Sequence, residues 1–383
     1  MAGFGFTEAQ EMLRKEVRNF AQKELAQGAK ERSKQDTMPR ETIKKLGDAG
    51  YLGVPIPEEY GGQGSDWVSF GITVEELAKV DFIASLIPLT PGVAYVVLQH
   101  ASNELKDEYI PQTVKGEKIA CFAITEPDTG SDAAAMRSKA VKDSDHYVID
   151  GEKTSITAGF EGDYSIMFVK TDPTARARGI TCFWLPLDLP GITRTRIPHT
   201  GFKATAAASI MMDGVRVPAK FRVGEEGEGF YKAMGGADFL RIGLSLMGIG
   251  LAEVSLEEAA AYAVQRNAFG KPIAQFEGVS FKIAEHATRL EAARLLCYRA
   301  LYLKDQGQPH TKESSMCKWW CPVVAFDAVH DSLLIHGHVG YSEESTFEQR
   351  LRDVMGLEFA DGTAQIQKII IARELMGRVA VPY

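Results

Sequence analysis

The sequence predicts an α+β chain in three parts: an N-terminal α-helical domain over 1–118, a middle antiparallel β-barrel domain over 119–226 and a C-terminal four-helix bundle over 227–383. Two changes of period predict it. Near residue 119 the apolar residues stop recurring at helical spacing and begin to alternate, and near 227 the helical spacing returns. Length gives a third reason, because 383 residues exceed what one small core serves.

In the first part, "FTEAQEMLRKEVRNFAQKEL" carries apolar residues one helical turn apart, with Thr7 as its cap. "YGGQGSDW" at 60–67 interrupts the helices. In the second part, "HYVIDGEKTSI", "YSIMFVKTD", "GITCFWLPL" and "ASIMMDGVRVP" alternate apolar and polar residues between Gly, Pro and Asp turns, as short antiparallel strands do. In the third, "GFYKAMGGADFLRIGLSLMGIGLAEVSLEEAAAYAVQR" and "VSFKIAEHATRLEAARLLCYRALYLKDQG" predict long helices, and "WWCPVVAFDAVHDSLLIHG" and the final helix complete the bundle. Clefts between such parts suit a large ligand.

Composition narrows the function. Net charge is -8 with no basic run, which excludes sequence-independent nucleic-acid binding. No segment is expected to span a membrane. "MAGFGFTEAQEMLRKEV" has no basic stretch followed by an apolar one, so a cytoplasmic chain is expected. The cysteines number five and make no CxxC, which predicts reduced thiols, with Cys317 and Cys321 used in packing. His336-Gly337-His338 lacks a third ligand at metal spacing, so no metal is expected.

Three glycine-bearing stretches divide by context. "MGIGLAE" lies inside a helical run, so its small residues serve helix packing rather than a dinucleotide turn. "TEPDTGSD" (125–132) follows the apolar "IACFAI" and is rich in hydroxyls and N–H donors. Such a loop suits a flavin edge and a pyrophosphate, although a plain turn has the same composition. In "LEFADGTAQIQKIIIAREL" (357–375), Asp361 and Thr363 both read as helix caps.

Taken in order, "EEYGGQGSD" (58–66), "FAITEPDTGSD" (122–132), "DGEKTSITAG" (150–159), "VRVPAKFRVGEEGEGF" (215–230), "QRNAFGKPI" (265–273) and "DGTAQIQKIIIARE" (361–374) resemble the acyl-CoA dehydrogenase family over nearly the whole chain. The resemblance implies FAD, an acyl-CoA substrate, a homotetramer built from dimers and an electron-transferring flavoprotein as acceptor. It implies cofactor contacts from Phe122, Ile124, Thr125, Gly130, Ser131, Ser155 and Thr157. It adds Arg266, which reaches the FAD of a neighbouring subunit, with Phe269, Phe276, Leu334, Gly337, Thr363 and Gln365. For the substrate it implies Ser131, Asp238, Arg241, Gly362 and Arg373. Arginine suits these duties because its planar fork of donors matches phosphate and carbonyl oxygens.

The chain departs from the family pattern at telling places. The family's tryptophan beside the flavin is Ser155, and Leu334 and His338 stand where Gln and Gly are common. The family's base is most often a glutamate after a tyrosine; this chain has Ala360-Asp361-Gly362-Thr363. The resemblance implies that Asp361 takes the proton beside the thioester carbonyl while the next carbon gives hydride to the flavin. Asp reaches about 1.5 Å less far than Glu. Relatives acting on cyclohexanecarboxyl-CoA resemble this case, so an alicyclic substrate with a crowded α-carbon is expected, forming cyclohexene-1-carboxyl-CoA. The alternatives are a short- or branched-chain acyl-CoA, a nitroalkane-oxidase-like reaction, and an acyl-CoA-binding flavoprotein without turnover. Other candidate bases are less well marked: Leu240 occupies a position where some relatives carry Glu, and Glu358 lies three residues upstream of Asp361. The segment 85–96 is expected to line the acyl pocket.

Overall fold

The computed structural model describes residues 5–381. The first helix, α1 (Glu8–Phe20), starts at the expected cap: the Thr7 hydroxyl and the Gln10 side chain each take the other residue's N–H. Six more helices follow: α2 (Ala29–Lys34), α3 (Arg40–Asp48), α4 (Trp67–Ala78), α5 (Phe82–Leu86), α6 (Leu89–Leu98) and α7 (Asn103–Val114). Helix α4 has no polar stripe and is buried from Val68 to Ala78. Its two acids are paired rather than left bare: Glu75 meets Arg294 at 2.7 Å and Glu76 meets Arg18 at 2.8 Å. In the segment 85–96, the side chain of Val96 lies outside the described residues.

Eight strands form one sheet: β1 (Ala120–Ala123), β2 (Lys139–Asp143), β3 (His146–Ile156), β4 (Tyr164–Lys170), β5 (Ile180–Pro186), β6 (Ile192–Arg196), β7 (Ala208–Pro218) and β8 (Arg222–Val223). The expected antiparallel barrel is not what forms. The order is β6-β7-β3-β2-β4-β5-β8, with β6 and β8 as open edges, and the sheet is mixed. β1 runs parallel to β4 from Ala120↔Tyr164 to Ala123↔Met167, and β2 meets β4 in parallel only at Lys139↔Lys170. The lane beside β4 is thus filled first by β1 and then by β2, with the loop 124–138 leaving the sheet between them. Alternation marks a strand but carries no information on the direction of its partner.

The third part holds α8 (Gly229–Gln265), α9 (Glu277–Asp305), α10 (Thr311–His336), α11 (His338–Tyr341), α12 (Phe347–Gly356) and α13 (Ala364–Met376). A small hairpin of β9 (Asn267–Ala268) and β10 (Lys271–Pro272) separates α8 from α9. Helix α8 corrects the expectation about membrane spans: it is long and apolar enough to cross one, yet 83% of its most apolar window is buried inside the protein. Its glycines are packing sites, as "MGIGLAE" predicted. A Cβ at Gly250 would lie 2.5 Å from the Glu75 carbonyl oxygen, and one at Gly248 would lie 3.0 Å from Leu357. One apolar core runs through all three parts, from Val54 and Phe70 through Phe168 and Trp184 to Phe239, Val329 and Leu357.

Candidate active site

A turn over residues 357–363 joins α12 to α13 and presents Asp361. Thr363, not Asp361, caps α13: its hydroxyl accepts the Ile366 N–H at 3.4 Å. The Asp361 carboxylate is therefore free for other work. Its backbone is left-handed, with φ 54°, as is that of Gly362, with φ 94°. A short polar Asp tolerates this region better than most residues. Glycine is needed at 362, because a Cβ there would stand 2.7 Å from Gln367 Nε2. That same amide, fully buried, donates to the carbonyls of Asp361 and Gly362, both at 3.3 Å. Lys318 reaches in from α10 and donates to Leu357 O at 2.6 Å and to Gly362 O at 3.3 Å.

Across from the turn stands α8. Arg241 Nε lies 3.9 Å from Asp361 Oδ2, and neither atom has a hydrogen-bond partner among the described residues. Arg241 is held by Asp238, whose Oδ1 accepts from Nη1 at 3.0 Å. Asp238 is held in turn by the hydroxyl of Thr311, while Ser314 donates to its carbonyl, each at 2.6 Å. Burial pushes the Asp361 carboxyl up to about 6, against the pull of Arg241 and Lys318. Burial also draws the Lys318 ammonium down to about 8, with Asp361 opposing. A carboxylate oxygen without a hydrogen-bond partner among the described residues, on a carboxyl raised to about 6 whose side chain is 19% exposed, has the makings of a general base.

A second cluster lies at the sheet. Phe122 lies on β1, and Ile124, Thr125, Gly130 and Ser131 lie on the loop behind it. That loop is fastened to β3. Thr154 N–H donates to Thr125 O at 2.9 Å, and Lys153 reaches Ile124 O at 3.2 Å and the Glu126 carboxylate at 2.8 Å. Glu126 also accepts the N–H groups of Arg137 at 2.6 Å and Ser138 at 3.0 Å. Beyond this fastening, Ser155 turns left-handed at φ 58°, and Ser155 and Thr157 are exposed. Phe122 and Ile124 are half-buried, and Ser131, Ser155 and Thr157 are exposed. Nothing lies within 4 Å of where a Cβ on Gly130 would be, so the loop is open there. This donor set fits a flavin, whose ring has an apolar body and a polar edge.

The remaining expected cofactor and substrate residues sit on the surface of the helical part. Arg266 follows α8, and Phe269, at the hairpin tip, is 95% exposed with its ring 6.1 Å from that of Phe276. Leu334 and Gly337 are exposed at the end of α10, as are Gln365 and Arg373 on α13, where Arg373 pairs with Glu374 at 3.1 Å. Among the described residues, no hydrogen bond or ion pair ties these groups to the Asp361 cluster. No three His, Cys, Asp or Glu side chains converge as metal ligands among the described residues either.

Sequence reasoning missed Lys318, Gln367 and the Lys153–Glu126 pair. A signal existed for Lys318, a lone cation in the otherwise apolar "MCKWWCPVVA". Gln367 offered none, because its role depends on the turn folding back over it.

A sheltered carboxylate on one turn and a flavin-suited loop on another suit a flavin-dependent oxidoreductase. Comparison with known proteins gives the family. The chain matches the acyl-CoA dehydrogenase N-terminal domain over residues 7–117, the middle domain over 121–215 and the C-terminal domain over 227–376. It is 38% identical to an acyl-CoA dehydrogenase of Bacillus subtilis (strain 168), covering 97% of this chain and 99% of that one. It is 36% identical to the mitochondrial short-chain specific acyl-CoA dehydrogenase of Mus musculus, covering 96% and 90%. Among solved structures, butyryl-CoA dehydrogenase from Megasphaera elsdenii superposes with a TM-score of 0.94 at 33% identity, over 98% of this chain and 100% of that one. The chain belongs to the acyl-CoA dehydrogenase family, FAD-dependent oxidoreductases acting on CH–CH bonds.

Proposed function

We propose that this enzyme desaturates a short or otherwise compact acyl-CoA between its α and β carbons, with Asp361 as the base. The observation that carries this reading is Asp361 Oδ2, which has no hydrogen-bond partner among the described residues and lies 3.9 Å from Arg241 Nε on a turn of fixed shape. Asp361 takes the α-proton, and its own N–H donates to the thioester carbonyl as negative charge builds on that oxygen. Arg241, held by Asp238, keeps the resting base ionised. Bound FAD supplies the acceptor for the hydride that leaves the β-carbon.

Phe122, Ile124, Thr125, Gly130, Ser131, Ser155 and Thr157 would hold the flavin of their own subunit. Arg266 would reach the FAD pyrophosphate of a neighbour, Thr363 and Gln365 would contact the adenosine side of FAD, and Phe269, Phe276, Leu334 and Gly337 would be further cofactor contacts. Ser131, Gly362 and Arg373 join Asp238 and Arg241 along the CoA. The family resemblance supports these roles, and so does the exposure of Phe269, which suits a surface covered by a second copy. We read the assembly as a homotetramer serving an electron-transferring flavoprotein, with the domains divided at 118 and 226. Five buried free thiols suit the reducing cytoplasm.

Two positions before Arg241 on α8, Phe239 is packed into the core. The Phe239 ring lies 4.9 Å from that of Trp67 and 5.9 Å from that of Phe70. Helix α6 presses on it so closely that a Cβ on Gly92 would sit 3.0 Å from Phe239. A compact substrate is supported by two of the relatives named above, the short-chain specific enzyme of Mus musculus and the butyryl-CoA dehydrogenase of Megasphaera elsdenii. One observation favours a second reading. Asp361 is a methylene shorter than Glu, and Ala360 replaces a bulky aromatic, so the space at the α-carbon is enlarged. Cyclohexanecarboxyl-CoA would use that space.

The test is anaerobic bleaching of the flavin by butyryl-CoA, cyclohexanecarboxyl-CoA, palmitoyl-CoA and nitroethane in parallel. Bleaching by butyryl-CoA, with palmitoyl-CoA slower by about tenfold or more, is the expected result. Bleaching by the ring thioester alone establishes the second reading. Fast bleaching by palmitoyl-CoA or by nitroethane alone overturns both.

A further inference from the structure

Lys318 is wholly buried, yet its acceptors in the structure are main-chain carbonyls rather than a carboxylate. An ammonium taken out of water costs several kcal/mol, which its bonds and nearby charges must offset. A neutral amide would satisfy the same carbonyls with less desolvation. The two carbonyls it holds, those of Leu357 and Gly362, bracket Asp361 on the turn.

We propose that Lys318 is a positioning residue for the base: it fixes the turn that aims Asp361, and its charge, together with that of Arg241, holds Asp361 as a carboxylate before substrate arrives. This inference rests on the reading of Asp361 as the base.

The geometry supports both halves. Lys318 and Gln367 together occupy the carbonyls of Leu357, Asp361 and Gly362, so residues 357–362 have little freedom to swing. The left-handed backbone of Asp361 is sustained by these donors. The charged groups around Asp361 are Arg241 and Asp238 on α8 and Lys318 on α10; Glu358 on the turn also acts on Lys318. Asp238 has Arg241 as its bonded partner, so Lys318 is the cation whose charge is not already matched by a bonded carboxylate. Burial alone would leave Asp361 protonated over more of the working range, and a protonated carboxyl cannot accept a proton.

The test compares Lys318→Met, which keeps the stem and removes charge and donors, with Lys318→Gln, which restores a donor without charge. In Lys318→Met holoenzyme, kcat is expected to fall about 100-fold, with KM for butyryl-CoA and FAD content within about threefold. The acidic limb of kcat/KM moves up by about one pH unit. Lys318→Gln recovers at least about tenfold in kcat while its limb stays displaced. A readout independent of turnover is the melting temperature from pH 4 to 9 of each holoenzyme with and without Asp361→Asn. The pH midpoint of that difference reports Asp361, and it moves up when Lys318 is Met or Gln.

An unmoved limb and an unmoved melting midpoint overturn the inference, even if rate is lost, because loss of rate alone is what a merely structural lysine would give. If Lys318→Met does not fold, Lys318→Gln decides by the same two midpoints. Turnover surviving in Asp361→Asn overturns the function proposed above. An inactive Asp361→Asn beside a Lys318→Met variant with both midpoints unmoved overturns only the role of Lys318.

Discussion

In the role proposed for it, Asp361 must be charged to accept a proton and sheltered to be a strong enough base, and these demands oppose each other. Shelter wins part of the contest, lifting the carboxyl from 3.8 to about 6. A raised carboxyl favours the folded state while it is protonated. That contribution is full below about pH 4 and is lost as pH rises through 6. Asp361→Asn should therefore melt higher than the parent above pH 6, by the equivalent of up to about 3 kcal/mol. The difference should vanish below pH 4 in parallel thermal scans, and the variant should keep its FAD while losing turnover. The residues alone left Asp361 and Thr363 as rival caps; only the resemblance singled out Asp361, and the fold then gave the cap to Thr363. The partners of Asp361 and its turn were not legible, because Arg241, Lys318 and Gln367 meet that turn from three helices.

The loop 124–138 depends on one buried pair. Lys153 is fully buried and Glu126 nearly so, and between them they hold Ile124 O and the N–H groups of Arg137 and Ser138. Removing one member of a buried pair leaves an uncompensated charge, at a cost of about 3–5 kcal/mol. Lys153→Met should release the loop, weaken FAD retention on gel filtration at least about tenfold and lower the melting temperature. Glu126→Gln, which keeps an acceptor, should do less. The chain text "TEPDTGSD" marked this loop, and "DGEKTSIT" marked the strand beside it, but nothing in either shows that Lys153 and Glu126 meet. Strand direction was equally hidden: a lane shared by β1 and β2 arises from where the loop departs, which no local period encodes. Close packing at Gly248 and Gly250 was readable, because small residues on a helix have few other uses.

The order of helix, sheet and helix is what the change of period announced, and a single core then joins the parts across their boundaries. Helix α8 is the rod on which this arrangement is measured. Its 37 residues span about 55 Å, and Arg241 stands about 38 Å from Arg266 along it. If Arg266 serves a neighbour's cofactor, as proposed above, Arg241 and Arg266 on one rod belong to two different reaction centres. The consequence is genetic as much as chemical. A subunit damaged at Asp361 and one damaged at Arg266 fail in different centres, and a pair made of one of each has one intact centre left. Equal co-expression of Asp361→Asn and Arg266→Ala should restore about a quarter of parental turnover per subunit through random pairing, whereas either variant alone shows little. Two broken alleles carried together would then support growth that neither supports by itself.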